Sequence, residues 1–330
     1  MPHSPDARSL GSLDSPVLSP TFSLTFIPAF YPDPMESLPG GALDSLRRIV
    51  ASDLGGRRVS VLSDASLWER AFSLCWAARS VLIVTGFFIR SASAPETDGP
   101  PGSVILGRAL ALLGMRVCLA TDHRSLFALD ACSGSVGGPS VLCLDGPDPA
   151  ALEEFDLLVF LERPGRARDG RYYNMRGEDI GSVVVPLDDL AIAAAGSGVP
   201  VLGIGDGGNE AGMGTLYEPL SRLLPYYAPF LSRVPSTVCL PVDVSNWGGY
   251  ALAALLSVPF GRWVGLNEGE EERMLAALRD RGAVDGVSGL GGCSVDGFAL
   301  PDLNRVSSRL RSWYVECAER GGPRPLAESS

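Results

Sequence analysis

Leu157-Leu-Val-Phe-Leu161 is the stretch that most restricts how this chain can fold: five apolar residues with no polar alternation. A strand with one face in water alternates, whereas one without alternation is covered on both faces, as in a parallel sheet between helical layers. Val81-Leu-Ile-Val-Thr85, Arg116-Val-Cys-Leu-Ala120, Val141-Leu-Cys-Leu144, Val199-Pro-Val-Leu-Gly203 and Thr237-Val-Cys-Leu240 are short apolar runs of similar kind. Helical patterns lie between and after them, at 65–79, 102–113 (behind a double proline, favoured at helix starts), 188–195, 211–224, 248–256, 268–280 and 303–319. This alternation predicts an α/β fold: a largely parallel sheet with helices on both faces, in a Rossmann-like three-layer architecture. One domain is expected over 41–320, after a flexible Ser/Pro-rich leader at 1–40 and before a disordered tail at 321–330.

Composition removes several kinds of chemistry. The net charge of −11 opposes a general nucleic-acid surface. All 27 basic residues are arginine, so Schiff-base catalysis, a covalent pyridoxal lysine and a Walker-type lysine have no side chain to use. His3 and His123 are the only histidines, too few for a multi-histidine metal site. The seven cysteines include no Cys-x-x-Cys pair and read as reduced thiols of an intracellular protein, with Cys118 and Cys143 in packing roles. No run is long enough to span a bilayer. Residues 21–27 lack the basic front of a secretory signal, and Arg8 alone makes a poor mitochondrial presequence. The expectation is a cytoplasmic or organellar protein with no membrane or nucleic-acid partner, with self-association left open.

In open parallel sheets, ligands sit beyond the carboxyl ends of the strands. The loop after the 199–203 run, Gly203-Ile-Gly-Asp-Gly-Gly-Asn-Glu-Ala-Gly-Met-Gly214, formally contains G-x-G-x-x-G. Asp206 would repel a pyrophosphate there, and no acidic residue follows at the expected distance, so neither nicotinamide nor flavin is expected. Glu96, Asp98, Glu162, Asp206, Asn209 and Glu210 are hard oxygen donors that suit Mg²⁺ or Mn²⁺, or else cap helices and hold turns. Asp98 and Asp206, with Glu96, are the candidate metal ligands. After the 157–161 run, Arg163, Arg166, Arg168, Arg171 and Arg176 crowd beside Tyr172, Tyr173 and Asn174. Such a loop either binds an anion through guanidinium forks or makes surface ion pairs. Ser245 reads as a helix cap, with Asn246 and Trp247 facing a ligand, and His123 as a surface or supporting residue.

These motifs, taken in order from about residue 45 to 315, resemble the D-glutamate cyclase C-terminal domain family. The resemblance is carried by Thr85-Gly-Phe, Glu96-Thr-Asp-Gly-Pro-Pro-Gly102, Glu162-Arg-x-Gly-Arg-Ala-x-Asp-Gly-x-Tyr-Tyr-Asn174, the glycine loop, Ser245-Asn-Trp-Gly-Gly-Tyr250 and Val284-Asp-Gly286. It implies a lyase that closes D-glutamate, or a related amino-dicarboxylate, to 5-oxo-D-proline and water; the animal relatives are mitochondrial. Arg168 and Arg171 fall at positions the family pattern leaves free. The expected site therefore comprises Glu162, Asp206 and Glu210 as catalytic groups. Arg163, Arg166, Tyr173, Asn174, Arg176, Asn209, Asn246 and Trp247 would surround a small anionic substrate. In the animal enzyme a hydro-lyase-like domain precedes this one. Only about 45 residues precede the match here. A module that binds an anionic metabolite without turnover is the alternative, and a metal-dependent enzyme on a phosphorylated or nucleotide substrate is a third.

Overall fold

The computed structural model describes residues 34–147 and 149–321. Of the expected leader at 1–40 and tail at 321–330, residues 1–33 and 322–330 lie outside them; within 34–40 the chain forms one 3₁₀ turn at Pro34–Ser37. Ten strands and nine α-helices are formed among the described residues. In chain order these are α1 (Ala42–Val50), α2 (Ala65–Ala77), β1 (Ser80–Thr85), β2 (Phe88–Ile89), β3 (Ala94–Pro95), α3 (Pro100–Leu112), β4 (Arg116–Thr121), α4 (Leu126–Gly134), β5 (Val141–Cys143) and β6 (Leu157–Leu161). There follow α5 (Asp189–Ser197), β7 (Val201–Gly205), α6 (Tyr217–Leu223), β8 (Val238–Pro241), α7 (Ser245–Phe260), α8 (Glu270–Arg279), β9 (Ser294–Val295), β10 (Phe298–Ala299) and α9 (Leu300–Arg320).

Six strands make one parallel sheet in the order β5-β4-β1-β6-β7-β8. The chain builds outward from β1 to one edge, then returns to β6 and builds to the other. The β1/β6 boundary is thus the point where the winding direction reverses, and the loops after these two strands splay apart there. Burial explains the apolar runs: Val81 and Ile83 enter one core while Leu82 and Val84 enter the other. The first core is thick, with α2, α3 and α7 near the sheet and α8 and α9 stacked outside. The second is thin, closed mainly by α5 and loop residues such as Leu187 and Val234. Cys118 and Cys143 lie toward the β5 edge and are only half-buried, so their packing role is partial.

A close helix crossing prepares the site. Gly102 on α3 faces the start of α7, where an added Cβ would lie 2.6 Å from the Asn246 Cα. That approach lets each helix cap the other. The Asn246 side chain accepts from the backbone N–H of Gly99 (3.0 Å) and Gly102 (2.8 Å), at the start of α3. The Asp98 carboxylate accepts from the N–H groups of Ser245 (3.0 Å) and Asn246 (2.8 Å), at the start of α7. Two sets of orphan helix donors are satisfied by residues nearly 150 positions away in sequence. Among the described residues no helix is long and apolar enough to cross a membrane.

Candidate active site

The loops following β1, β6, β7 and β8 converge beyond the carboxyl edge of the sheet. Glu162 is the first residue after β6 and takes a left-handed φ of +51°. This unfavourable conformation is held by the strands on either side: Glu162 N–H donates to the Ile204 carbonyl (3.3 Å), and its own carbonyl accepts from Gly86 (3.1 Å). Its carboxylate accepts from the Ser245 hydroxyl at 2.6 Å. Ser245 is the first residue of α7 rather than its cap, and its hydroxyl serves Glu162. Asp206 follows β7 and accepts from Ser245 N–H at 3.2 Å. Glu210 folds back so that one oxygen accepts from the backbone N–H of Asp206 (3.0 Å) and Gly207 (2.6 Å). Because the next helical turn begins only at Met213, neither Asp206 nor Asn209 caps it.

Two residues absent from the expected site complete this acidic floor. Asp296 sits in the β9–β10 hairpin, whose two-residue turn Asp296-Gly297 has positive φ at both positions (+53° and +81°). Such turns favour Asp-Gly because both residues tolerate the left-handed region. That dipeptide, behind Val295, was the signal the sequence offered. Arg57, on the loop between α1 and α2, pairs with Asp206 and, at 2.8 Å, with Asp296. Nothing in the local sequence marks it; the loop reaches the floor because Asp243, after β8, accepts from the N–H of Ser52 (2.9 Å) and Asp53 (2.8 Å).

The floor is strongly perturbed. Burial raises Asp98 to about 7 and Asp206 to about 8. Glu96, Glu162 and Asp296 are pushed well above the ordinary carboxylate range, by burial first and then by the charges of their acidic neighbours. Burial also works against the Arg57 charge, but Asp206 and Asp296 outweigh it and its pKa rises. Asp98 therefore exchanges its proton near neutral pH while Glu96, Glu162 and Asp296 are held toward the protonated form, a condition for acid and base work side by side.

The same donors fit a divalent cation. Asp98, Asp206 and Asp296 form one set with ligand atoms within 4.8 Å of one another, and Glu162, Asp206 and Glu210 form a second. Glu210 Oε2 and Asp296 Oδ2 are buried with no hydrogen-bond partner, as ligand oxygens awaiting a cation would be. All-carboxylate donor sets suit Mg²⁺ or Mn²⁺. Glu96, expected beside Asp98 and Asp206, belongs to neither set. It still lines the cavity, pressed against Gly286, where any Cβ would overlap its carboxylate.

Above the floor is a cavity of about 310 Å³, at the small end of ligand pockets. Phe87, Ile89, Met175, Ile180 and Tyr227 give it apolar walls; Arg57, Arg90, Ser91, Asn174, Arg176 and Asn209 are polar residues of its lining besides the acids. Of the residues expected around the substrate, Asn174, Arg176 and Asn209 line this cavity, together with Glu162, Asp206 and Glu210. The others are placed elsewhere. Arg163 is buried beneath the loop, bonded to Asp122 at 2.7 Å and to the Gly86 and Val185 carbonyls. Arg166 is held by Asp188 (2.9 Å) and Asp189 on α5. Both guanidiniums are consumed by fixing the loop, because the β6 loop must be anchored to the thin side of the sheet. Tyr173 turns its hydroxyl to Asp169 (2.6 Å) and offers only its carbonyl to Asn209 (2.8 Å). Trp247 is buried against Phe298, and Asn246 acts as the α3 cap described above. His123 is exposed and paired with Asp145.

A family model described as "D-glutamate cyclase-like, C-terminal" matches residues 46–311. The chain belongs to this family. The match spans the whole floor, from Arg57 to Asp296. A human relative named "D-glutamate cyclase, mitochondrial" is 35% identical over 301 residues, covering 77% of this chain and 48% of the relative. This D-glutamate cyclase-like chain thus spans about half the length of that protein. A solved structure of an exopolyphosphatase-related protein from Bacteroides Fragilis shares 11% identity at a TM-score of 0.39, covering 78% of this chain and 61% of that one; the likeness carries no argument about chemistry.

Proposed function

We propose that this protein is a D-glutamate cyclase-like lyase, converting D-glutamate or a related amino-dicarboxylate to 5-oxo-D-proline and water. The observation that carries the reading is a cluster of buried carboxyl groups raised to neutrality and above, beneath a small cavity with arginines in its lining, in a chain of this family. Ring closure joins the substrate's amine nitrogen to its side-chain carboxyl carbon and breaks one carbon–oxygen bond. The nitrogen surrenders two protons and the departing oxygen needs two, so the reaction consists of moving protons between neighbouring atoms. A carboxylate of the floor, Glu210, takes the ammonium proton. Glu162, held neutral by burial and steadied by the Ser245 hydroxyl, is placed to give a proton to the leaving oxygen. The apolar walls hold amine and carboxyl in contact, which supplies much of the acceleration. A Mg²⁺ or Mn²⁺ held by Asp98, Asp206 and Asp296, or by Glu162, Asp206 and Glu210, would supply Lewis-acid polarisation of the carboxyl.

Incubating the purified protein with D-glutamate and Mn²⁺ and measuring 5-oxoproline tests this. Product above that of Glu210→Gln and Asp206→Asn is expected; none would refute it. A second reading is a module that binds an anionic metabolite without turning it over, supported by the two arginines of the cavity lining that have no carboxylate partner among the described residues. Calorimetric binding of glutamate or 5-oxoproline with no product would favour that one. In either case the mitochondrial location in the human relative's name makes an organelle the first compartment to examine by microscopy.

A further inference from the structure

Three arginines line the cavity, and they are not equivalent. Arg57 is committed to Asp206 and Asp296. Arg90 and Arg176 are oriented by backbone carbonyls instead: Arg90 Nη1 donates to the Asp179 carbonyl at 2.7 Å, and Arg176 Nη2 to the Val287 carbonyl at 3.2 Å. Among the described residues neither guanidinium has a carboxylate partner. A carbonyl aims a guanidinium without cancelling its charge, so both remain able to take an anion. The amides beside them are already occupied. The Asn174 oxygen accepts from the N–H of Arg176 (2.9 Å) and Glu178 (3.0 Å), and Asn209 donates to the Tyr173 carbonyl. The cavity lining therefore holds both a cluster of acids and two cations that no carboxylate neutralises.

In the cyclase reading, on which this inference rests, the amine and the side-chain carboxyl react. The carboxylate on the amine-bearing carbon stays an anion throughout. Next to the acidic floor it would be repelled, so it needs cations of its own. We propose that Arg90 and Arg176 bind the substrate's non-reacting carboxylate, and so restrict the enzyme to amino-dicarboxylates in which that carboxylate is free. The two side chains come from separate segments, the β2–β3 hairpin and the loop after β6. Their backbone anchors, the Asp179 and Val287 carbonyls, hold each guanidinium without neutralising it.

The test is steady-state kinetics of wild type, Arg90→Gln and Arg176→Gln on D-glutamate and on its α-carboxamide. Losing one charge-assisted contact should raise KM for D-glutamate about tenfold to a hundredfold, with kcat changing far less. Wild type should favour the acid over the amide, and that preference should shrink in both variants. Arg176→Lys should recover part of the loss. Turnover by wild type with KM and acid preference unchanged in both variants would overturn the assignment of the two arginines alone. If wild type makes no product, the cyclase reading fails, and calorimetry with glutarate decides the arginines separately. Binding weakened tenfold or more in both variants would uphold them, and binding that is absent or equal would overturn them. Both arginines are exposed, so melting temperatures should stay within a few degrees and exclude misfolding as the cause.

Discussion

Replacing Glu271 with Gln should make the protein's stability less dependent on pH, by an amount that follows from burial. Glu271 lies on α8, outside the cavity lining, and is 2% exposed. Burial raises its pKa from 4.5 to about 7, and the Tyr250 hydroxyl beside it offsets only part of that. Neither carboxylate oxygen has a hydrogen bond of normal geometry. Between those two pH values the folded protein holds a proton that the unfolded chain has released. Stability is then undiminished below the unfolded pKa and falls as pH rises through the folded one. Two and a half pH units at about 1.4 kcal/mol each give a loss of about 3 kcal/mol by pH 8. Glutamine is close in shape and does not titrate. Urea unfolding of wild type and Glu271→Gln at half-unit steps from pH 4 to pH 8.5 measures the effect, and subtracting the two curves removes the contribution of the shared floor. The variant should gain about 3 kcal/mol on wild type across that range, with most of the change between pH 4.5 and 7. A difference that does not vary with pH would refute the argument, because it would mean the carboxylate is solvated in the folded state.

Four further outcomes follow from the same structure. Asn246→Ala should lower stability by about 2–5 kcal/mol, since it leaves the N–H groups of Gly99 and Gly102 buried without an acceptor; a chemical melt indistinguishable from wild type would contradict the cross-capping of α3 and α7. Arg163→Met should destabilise by about 3–5 kcal/mol by stranding buried Asp122, yet leave KM for D-glutamate in place; an unchanged melt with a raised KM would return Arg163 to the substrate. Mn²⁺ should raise the melting temperature more at pH 8 than at pH 6, because the raised pKa values of Asp98 and Asp206 mean that ligation must displace protons at the lower pH; equal shifts at both would show that the floor does not bind the ion through these groups. Gly286→Ala should cut product formation about a hundredfold while the fold survives, since its Cβ would displace the Glu96 carboxylate; full activity would show that Glu96 has no part in the site.

The sequence by itself determined the sheet, because short apolar runs without polar alternation, separated by helical patterns, mark strands lying between helical layers. All six strands of the parallel sheet appear where the apolar runs lie, with ends shifted by a residue or two. The hairpins β2–β3 and β9–β10 were not legible as strands, being two residues each and held by long-range contacts such as Thr97 to Ser294 (2.8 Å). Helices α1 and α4 also escaped, although α1 packs tightly on α9 once the tertiary fold exists. At the site, the placement of Glu162, Asp206 and Glu210 at the cavity could be read because they stand in loops directly after apolar strands. Which arginines serve the cavity could not, since a guanidinium reaches several ångströms in any direction and its role depends on the acid it meets. Folding spends Arg163 on Asp122 and Arg166 on Asp188, and brings Arg57, Arg90 and Asp296 from remote segments to the cavity. Strand identity is set by the solvent each residue must avoid, a local property of the chain, whereas charge pairing is settled only when distant segments pack together.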